Sequence, residues 1–174
     1  INFMDGIDGL VASNMFLIFL NYTFLNNTEL IGITFALLVF LFYNWSPAKI
    51  FMGDSGSTFL GLALFYMIST SKDLNSLIIL FLTASPLLMD SLVCILRRFL
   101  NKENIFYPHR KHLYQRLHQN GMKHEEVSIM YVTCTLILVI FSQLNNLIIM
   151  TSLTLLVFLF GIYLEKYRAV PFKT

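Results

Sequence analysis

Two short acidic segments flanked by glycine interrupt an otherwise apolar chain. The first runs Asn2-Phe-Met-Asp5-Gly-Ile-Asp8-Gly-Leu10, the second Phe51-Met-Gly53-Asp54-Ser-Gly56-Ser57. Carboxylates are costly near a bilayer and usually mark function there. Asp54 is a hard oxygen donor, and Mg²⁺ is typically held by one or two carboxylates plus substrate phosphates. Gly53 and Gly56 allow a tight turn and close approach of a ligand. The helix that follows would offer its first N–H groups to an anion. A plainer reading competes: Asp or Ser before an apolar run often does no more than cap a helix. In the first segment, Asp5 and Asp8 would share a face if helical, but Gly6 and Gly9 favour a turn leading into a helix. Asn2, Asp5 and Asp8 suit a metal, a base or a sugar, and together exceed what one cap needs.

A third segment, His109-Arg-Lys-His112-Leu-Tyr114-Gln-Arg116-Leu-His118, mixes cations with imidazoles. Arg110, Lys111 and Arg116 suit phosphate, Arg in bidentate fashion, and His112 can donate a hydrogen bond or carry a proton. A basic loop against anionic lipid would have the same composition. The four His follow no standard zinc spacing, and His118 and His124 read as solvated surface residues. Asp90 lies in an apolar run about two turns before Arg97-Arg98. It should face protein or a polar cavity rather than lipid. Cys94 and Cys134, also in apolar runs, read as small buried hydrophobes.

The elements that must position these residues are apolar helices. Of 174 residues, 56% are hydrophobic and 13% charged, against roughly 25% charged in a soluble domain. Mean hydropathy is +0.68. The fold expected is all-α, a polytopic transmembrane bundle of about six spanning helices. The apolar stretches are Leu10–Leu25, Leu30–Trp45, Thr58–Thr70, Leu74–Leu96, Val127–Phe141 and Leu147–Leu164, some shorter than the roughly 20 residues of a perpendicular span. Charge sets the topology. The turns at Asn26–Glu29, Ser71–Asp73 and Gln143–Asn146 hold Lys72 alone of the 12 Lys and Arg. The positive-inside rule therefore puts the acidic motifs, the loop Arg97–Glu126 and the C-terminal tail in the cytoplasm. A net charge of +2 gives no reason to expect a nucleic-acid partner.

Taken in order, Asn2-x2-Asp5-Gly-x-Asp8-Gly, Asn44-x2-Pro47-Ala-Lys49-x-Phe51-Met-Gly-Asp54-x-Gly-Ser, Pro86-x2-Asp90 with Arg97-Arg98, and the His/Arg loop resemble the polyprenyl-phosphate N-acetylhexosamine-1-phosphate transferases. This is the MraY/WecA/TagO-like superfamily, glycosyltransferase family 4, and the resemblance covers essentially the whole chain. It implies transfer of a sugar-1-phosphate from a UDP-sugar to undecaprenyl phosphate at the bacterial plasma membrane, releasing UMP, with Mg²⁺ or Mn²⁺ as cofactor. It implies Asp54 as metal ligand and Asp54, Asp5 and His112 as catalytic. Asn2, Asp8, Asn44, Phe51, His109, Arg110 and Arg116 would bind substrate, with Phe51 stacking on uracil. A homodimer is compatible with it.

The chain departs from the pattern in two ways. The adjacent-aspartate motif that the family carries upstream is absent, so the chain is expected to be the C-terminal part of one transmembrane transferase domain, inactive alone, with cytoplasmic loops at about 44–57 and 97–126. Tyr114 and Gln115 also stand where many members have His. The loop is nearest the branch that starts O-antigen or capsule polysaccharides (the lipopolysaccharide type). The alternative branch makes the first lipid-linked peptidoglycan precursor. From other classes, a transporter would need carboxylates near mid-membrane, and a non-catalytic scaffold would need neither Asn44 nor Asp54.

Overall fold

The computed structural model describes residues 4–25 and 30–172. Asn2 and the turn 26–29 lie outside the described residues. Among the described residues eight helices follow one another: α1 Leu10–Leu25, α2 Ile31–Asn44, α3 Gly53–Ser69, α4 Leu74–Thr83, α5 Ser85–Leu100, α6 Leu113–Gln119, α7 His124–Ser142 and α8 Leu147–Arg168. There is no strand among the described residues, so the all-α expectation holds.

Burial is arranged as a bilayer dictates. The outward faces are apolar: Phe35, Val39 and Phe42 on α2, and Leu155, Leu156 and Leu159 on α8, are all exposed. The interior holds polar side chains that satisfy one another. Thr135 donates to Asn14 Oδ1 at 2.5 Å. Asn21 donates to Ser142 Oγ at 3.0 Å and accepts from Gln143. Tyr22 and Thr70 share a hydrogen bond of 2.9 Å. Lipid gives helices no hydrophobic drive to associate, so such bonds and close packing hold the bundle. Each is worth about 0.6–2 kcal/mol there. The central element is α1, which packs mainly on α2 and α7 and buries Met15, Ile18 and Phe19 completely.

Helices α7 and α8, 19 and 22 residues long, are each long and apolar enough to cross a membrane. The expected fourth span, Leu74–Leu96, is two helices: α4 and α5 meet at Ala84 with a bend of 73°, the geometry of a broken span or of a re-entrant loop. Pro86, at the start of α5, has no N–H to give the carbonyl of Leu82, and its ring opposes straight continuation. The helices α1 and α2 are apolar but short, so among the described residues two helices, or three if the bent pair is one span, are long and apolar enough to cross a membrane. Helix α5 runs past the expected end of its apolar run to Leu100, and Asp90, Cys94 and Arg98 lie on its buried side. The polar loop that follows is itself ordered by α6.

Candidate functional site

The two acidic motifs meet. Asp5 is hydrogen-bonded by the backbone of Gly53 and lies close enough to Asp54 to feel its charge. Burial pushes the Asp5 carboxyl above the usual carboxylate range; the Gly53 bond opposes this and the Asp54 charge adds to it. Gly53 has a φ of +65°, a conformation open to glycine at little cost, and it turns the chain into α3. Asp54 then falls in the first helical turn, exposed. The N-cap is Met52, which makes no side-chain cap bond, and Ser57 donates back to the Gly53 carbonyl at 3.0 Å. The capping explanation for Asp54, Ser55 and Ser57 therefore fails. Two hard oxygen donors thus lie within electrostatic reach of each other near the positive end of a helix, and carboxylates are the donors Mg²⁺ takes. Phe51, three residues before Asp54, is 73% exposed and presents a bare aromatic surface.

A second set of contacts locks the loops around this pair. Asn44 accepts from Gly9 N–H at 3.1 Å and donates to the Ile50 carbonyl at 2.9 Å. It is 4% exposed. Expected to line the substrate pocket, Asn44 instead ties the first motif to the second, because its amide can bridge a donor and an acceptor at once. Gly9 has φ +72°, and a Cβ there would sit 2.8 Å from the Trp45 ring, so both backbone and space demand glycine. Asp8 also turns inward. Its Oδ2 accepts from Ala48 N–H at 3.2 Å, and its Oδ1 is 3.2 Å from His124 Nδ1. His124 is thus a partner of the first motif rather than a solvated surface residue. His118 Nδ1 donates to the Met122 carbonyl, 2.8 Å away, and the ring packs edge-on against His124.

The His/Arg loop is fastened by groups buried beneath it. Asp90 Oδ1 accepts from Leu113 N–H at 2.8 Å, and its Oδ2 from Tyr114 N–H at 3.2 Å and the Tyr131 hydroxyl at 2.6 Å. Asp90 therefore anchors the first turn of α6 to α5 and α7. The Gln115 side chain accepts from His112 N–H at 3.2 Å, so a residue that departs from the family pattern caps this helix. Arg98, 3% exposed, gathers Glu103, Asn104 and Ile105 around its guanidinium. Lys111 reaches Glu103 at 2.6 Å, and this hydrogen bond, with Arg98 beside it, holds the Glu103 carboxyl below its usual range.

The loop expectations need correction at two residues. Arg116 is 5% exposed, and its guanidinium donates to Lys111 O, Val170 O and Glu165 at 3.1, 3.0 and 2.6 Å. It staples the loop to α8 and the tail and has no open face for phosphate. Glu165 also pairs with Arg97. His112 is 2% exposed, its ring stacked between His109 and Tyr114, with Nδ1 3.6 Å from Asp90 Oδ1. Burial leaves it almost no open surface. Arg110 remains exposed and His109 half-buried. Burial, with Arg98 and His112 nearby, pushes His109 down to about 4.

Tyr114 is the residue that sequence reasoning passed over. It is 1% exposed, and its hydroxyl lies against Gly6, where a Cβ would come within 2.6 Å. Burial, then the charges of Asp90 and Asp5, push its hydroxyl well above the ordinary tyrosine range. Its signal in the sequence is the departure itself, an aromatic where an imidazole is expected. Tyr114 carries the loop onto the first acidic motif.

Residues 1–72 match the model of Glycosyl transferase family 4. The chain is 35% identical over 145 residues to a probable undecaprenyl-phosphate N-acetylglucosaminyl 1-phosphate transferase of Bacillus subtilis, covering 76% of this chain and 40% of that protein. The similarity supports the superfamily that the motifs resemble. The chain is also 31% identical over 161 residues to the decaprenyl-phosphate N-acetylglucosaminephosphotransferase of Mycobacterium leprae, covering 75% of this chain and 40% of that protein. A phospho-N-acetylmuramoyl-pentapeptide-transferase of Chlamydia muridarum is 40% identical over 72 residues, 35% of this chain and 22% of that protein. The chain thus spans about 40% of the length of the first of these relatives. No solved structure matches it. With its apolar exterior and these relatives, the chain is a membrane-integral bacterial protein.

Proposed function

We propose that this protein transfers a sugar-1-phosphate of the N-acetylhexosamine type from a UDP-sugar to undecaprenyl phosphate. The products are undecaprenyl-diphospho-sugar and UMP. The observation that carries this reading is the meeting of Asp5 and Asp54 at the start of α3, with exposed Phe51 beside them. In the reaction an oxygen of the lipid phosphate attacks the sugar-bearing phosphorus, the diphosphate bridge breaks, and UMP leaves with the bridging electrons. The nucleophile arrives with the lipid, so no enzyme nucleophile is required.

Mg²⁺ held by Asp54, with Asp5 beside it, would neutralise charge on the diphosphate. Phe51 stacks on the base. The first N–H groups of α3 face the phosphates. Asn44, Asp8 and Tyr114 hold the loops in register, and Arg110 offers an exposed cation. An apolar cleft between α5, α7 and α8 has Met89, Val93, Val157 and Phe158 in its wall and Arg97 and Lys111 among its polar lining. It suits a polyprenyl chain with an anionic head.

The predominance of basic residues at one rim supports a cytoplasmic site at the plasma membrane. The similarity to N-acetylglucosamine-phosphate transferases extends over more of the chain than the similarity to the pentapeptide transferases. That favours a polysaccharide-initiating role over peptidoglycan, with N-acetylglucosamine as the first donor to try. The test follows UMP release by the full-length gene product in detergent, with undecaprenyl phosphate, Mg²⁺ and a panel of UDP-N-acetylhexosamines. We expect lipid-dependent UMP from one donor, abolished by EDTA and by Asp54→Asn. Undiminished activity in Asp54→Asn would overturn the site.

A further inference from the structure

We propose that Cys94, His109 and His112 form a site for a thiophilic divalent cation, zinc in the first instance, that clamps the His/Arg loop onto α5. One ligand atom from each of the three lies within 4.8 Å of the others. They come from three places: Cys94 from the buried face of α5, His109 from the loop, and His112 from the start of α6. Among the described residues this is the sole such convergence of His, Cys and carboxylate groups.

The donor chemistry separates this site from the Asp5–Asp54 pair. A thiolate and two imidazoles select zinc, whereas carboxylate oxygens select magnesium. Tetrahedral zinc with bonds of about 2.0–2.3 Å places its ligand atoms roughly 3.5 Å apart. Contraction by about 1 Å is within reach of half-buried His109, which sits on a loop. The surroundings supply what ligand histidines usually have behind them. Asp90 Oδ1 faces His112 Nδ1 at 3.6 Å, the carboxylate–histidine arrangement that orients a ligand ring and raises its basicity. Nε2, on the far side of the ring, would then take the metal. Arg98 and Lys111 are close, but each is paired with Glu103, and a Cys94 thiolate would offset one charge of the ion. Three protein ligands leave a fourth position for water. The metal would join residues 15 and 18 positions downstream to α5 and so restrain the segment between Arg98 and α6.

The test uses the full-length protein in Mg²⁺-containing buffer, which leaves the carboxylate pair saturated. Co²⁺ is added as a spectroscopic probe, then Zn²⁺ as competitor. We expect a thiolate-to-cobalt charge-transfer band at one equivalent that zinc abolishes. The band should be lost in Cys94→Ser, weakened in His109→Gln and retained in Cys134→Ser. Independently of any variant, zinc should protect Cys94 of the unmodified protein from alkylation, mapped by mass spectrometry, while Cys134 labelling is unchanged. No thiolate band, a band that survives Cys94→Ser, or equal Cys94 alkylation with and without zinc would overturn the proposal. None of these readouts involves sugar transfer, so failure here leaves the transferase reading standing.

Discussion

Asp90→Asn tests the claim that α6 is held from beneath. The wild-type carboxylate receives three hydrogen bonds, from Leu113 N–H, Tyr114 N–H and the Tyr131 hydroxyl. Asparagine has nearly the same shape but a single acceptor oxygen. In the better of its two orientations the oxygen faces Tyr114 and Tyr131, and its NH₂ confronts Leu113 N–H. One bond to a charged group is lost, about 1.5–3 kcal/mol, and the two retained fall from charged to neutral strength, about 1 kcal/mol each. The docked state of α6 should weaken by about 3–5 kcal/mol. At 1.4 kcal/mol per tenfold, that is a hundredfold or more in the local opening equilibrium. Hydrogen exchange of the full-length protein in detergent reads it directly. Amides of α6 should exchange about a hundredfold faster while those of α1 stay protected. Tyr131→Phe, which removes one donor, should fall between the two. If Asp90→Asn changes α6 exchange by less than about tenfold, the anchoring argument is refuted.

Other outcomes follow from the same contacts. Gly9→Ala adds a left-handed penalty of about 1–2 kcal/mol and a clash with Trp45. Thermal unfolding should show both, and adding Trp45→Ala should relieve the clash alone. Arg116→Leu leaves Glu165 with Arg97 and frees the Val170 carbonyl. Losing the charge-assisted bond to Glu165 costs about 1.5–3 kcal/mol, so limited proteolysis should cut the tail after Arg168 readily, whereas wild type resists. Phe51→Ala removes an exposed ring, so stability should hold. If the ring stacks on a base, worth about 1–3 kcal/mol, KM for the UDP donor should rise about tenfold, and an unchanged KM would remove Phe51 from the pocket.

The pH dependence rests on His109, pushed from the ordinary 6.5 down to about 4. Between those values the opened loop binds a proton that the closed loop refuses. Stability of the closed loop is therefore full above pH 6.5 and declines as pH falls toward 4. Hydrogen exchange of residues 104–112, measured with chelator present, should accelerate on acidification, and His109→Gln should flatten the profile.

Much of the architecture is legible in the amino-acid sequence. Composition and hydropathy specify apolar helices in lipid, because a bilayer leaves the backbone few other ways to satisfy its polar groups. The acidic motifs are legible because their glycines, carboxylates and spacing are local. Asp54 stands out by type and context, yet its meeting with Asp5 spans 49 positions and depends on how α1 and α3 pack. The α4–α5 break is half-visible: Pro86 is in plain view, but the continuous apolar run around it reads as one span. Asn44, Arg116 and His112 are singled out by type and resemblance, and type cannot say which partners a side chain finds. Asn44 finds two backbone groups, Arg116 a carboxylate and two carbonyls, and His112 a buried carboxylate. The sequence alone determines the solvent, the helices and the chemistry within reach, since these depend on residue type and short spacing. Tertiary structure alone decides which polar groups face a ligand and which brace the protein, since that depends on partners brought together from distant parts of the chain.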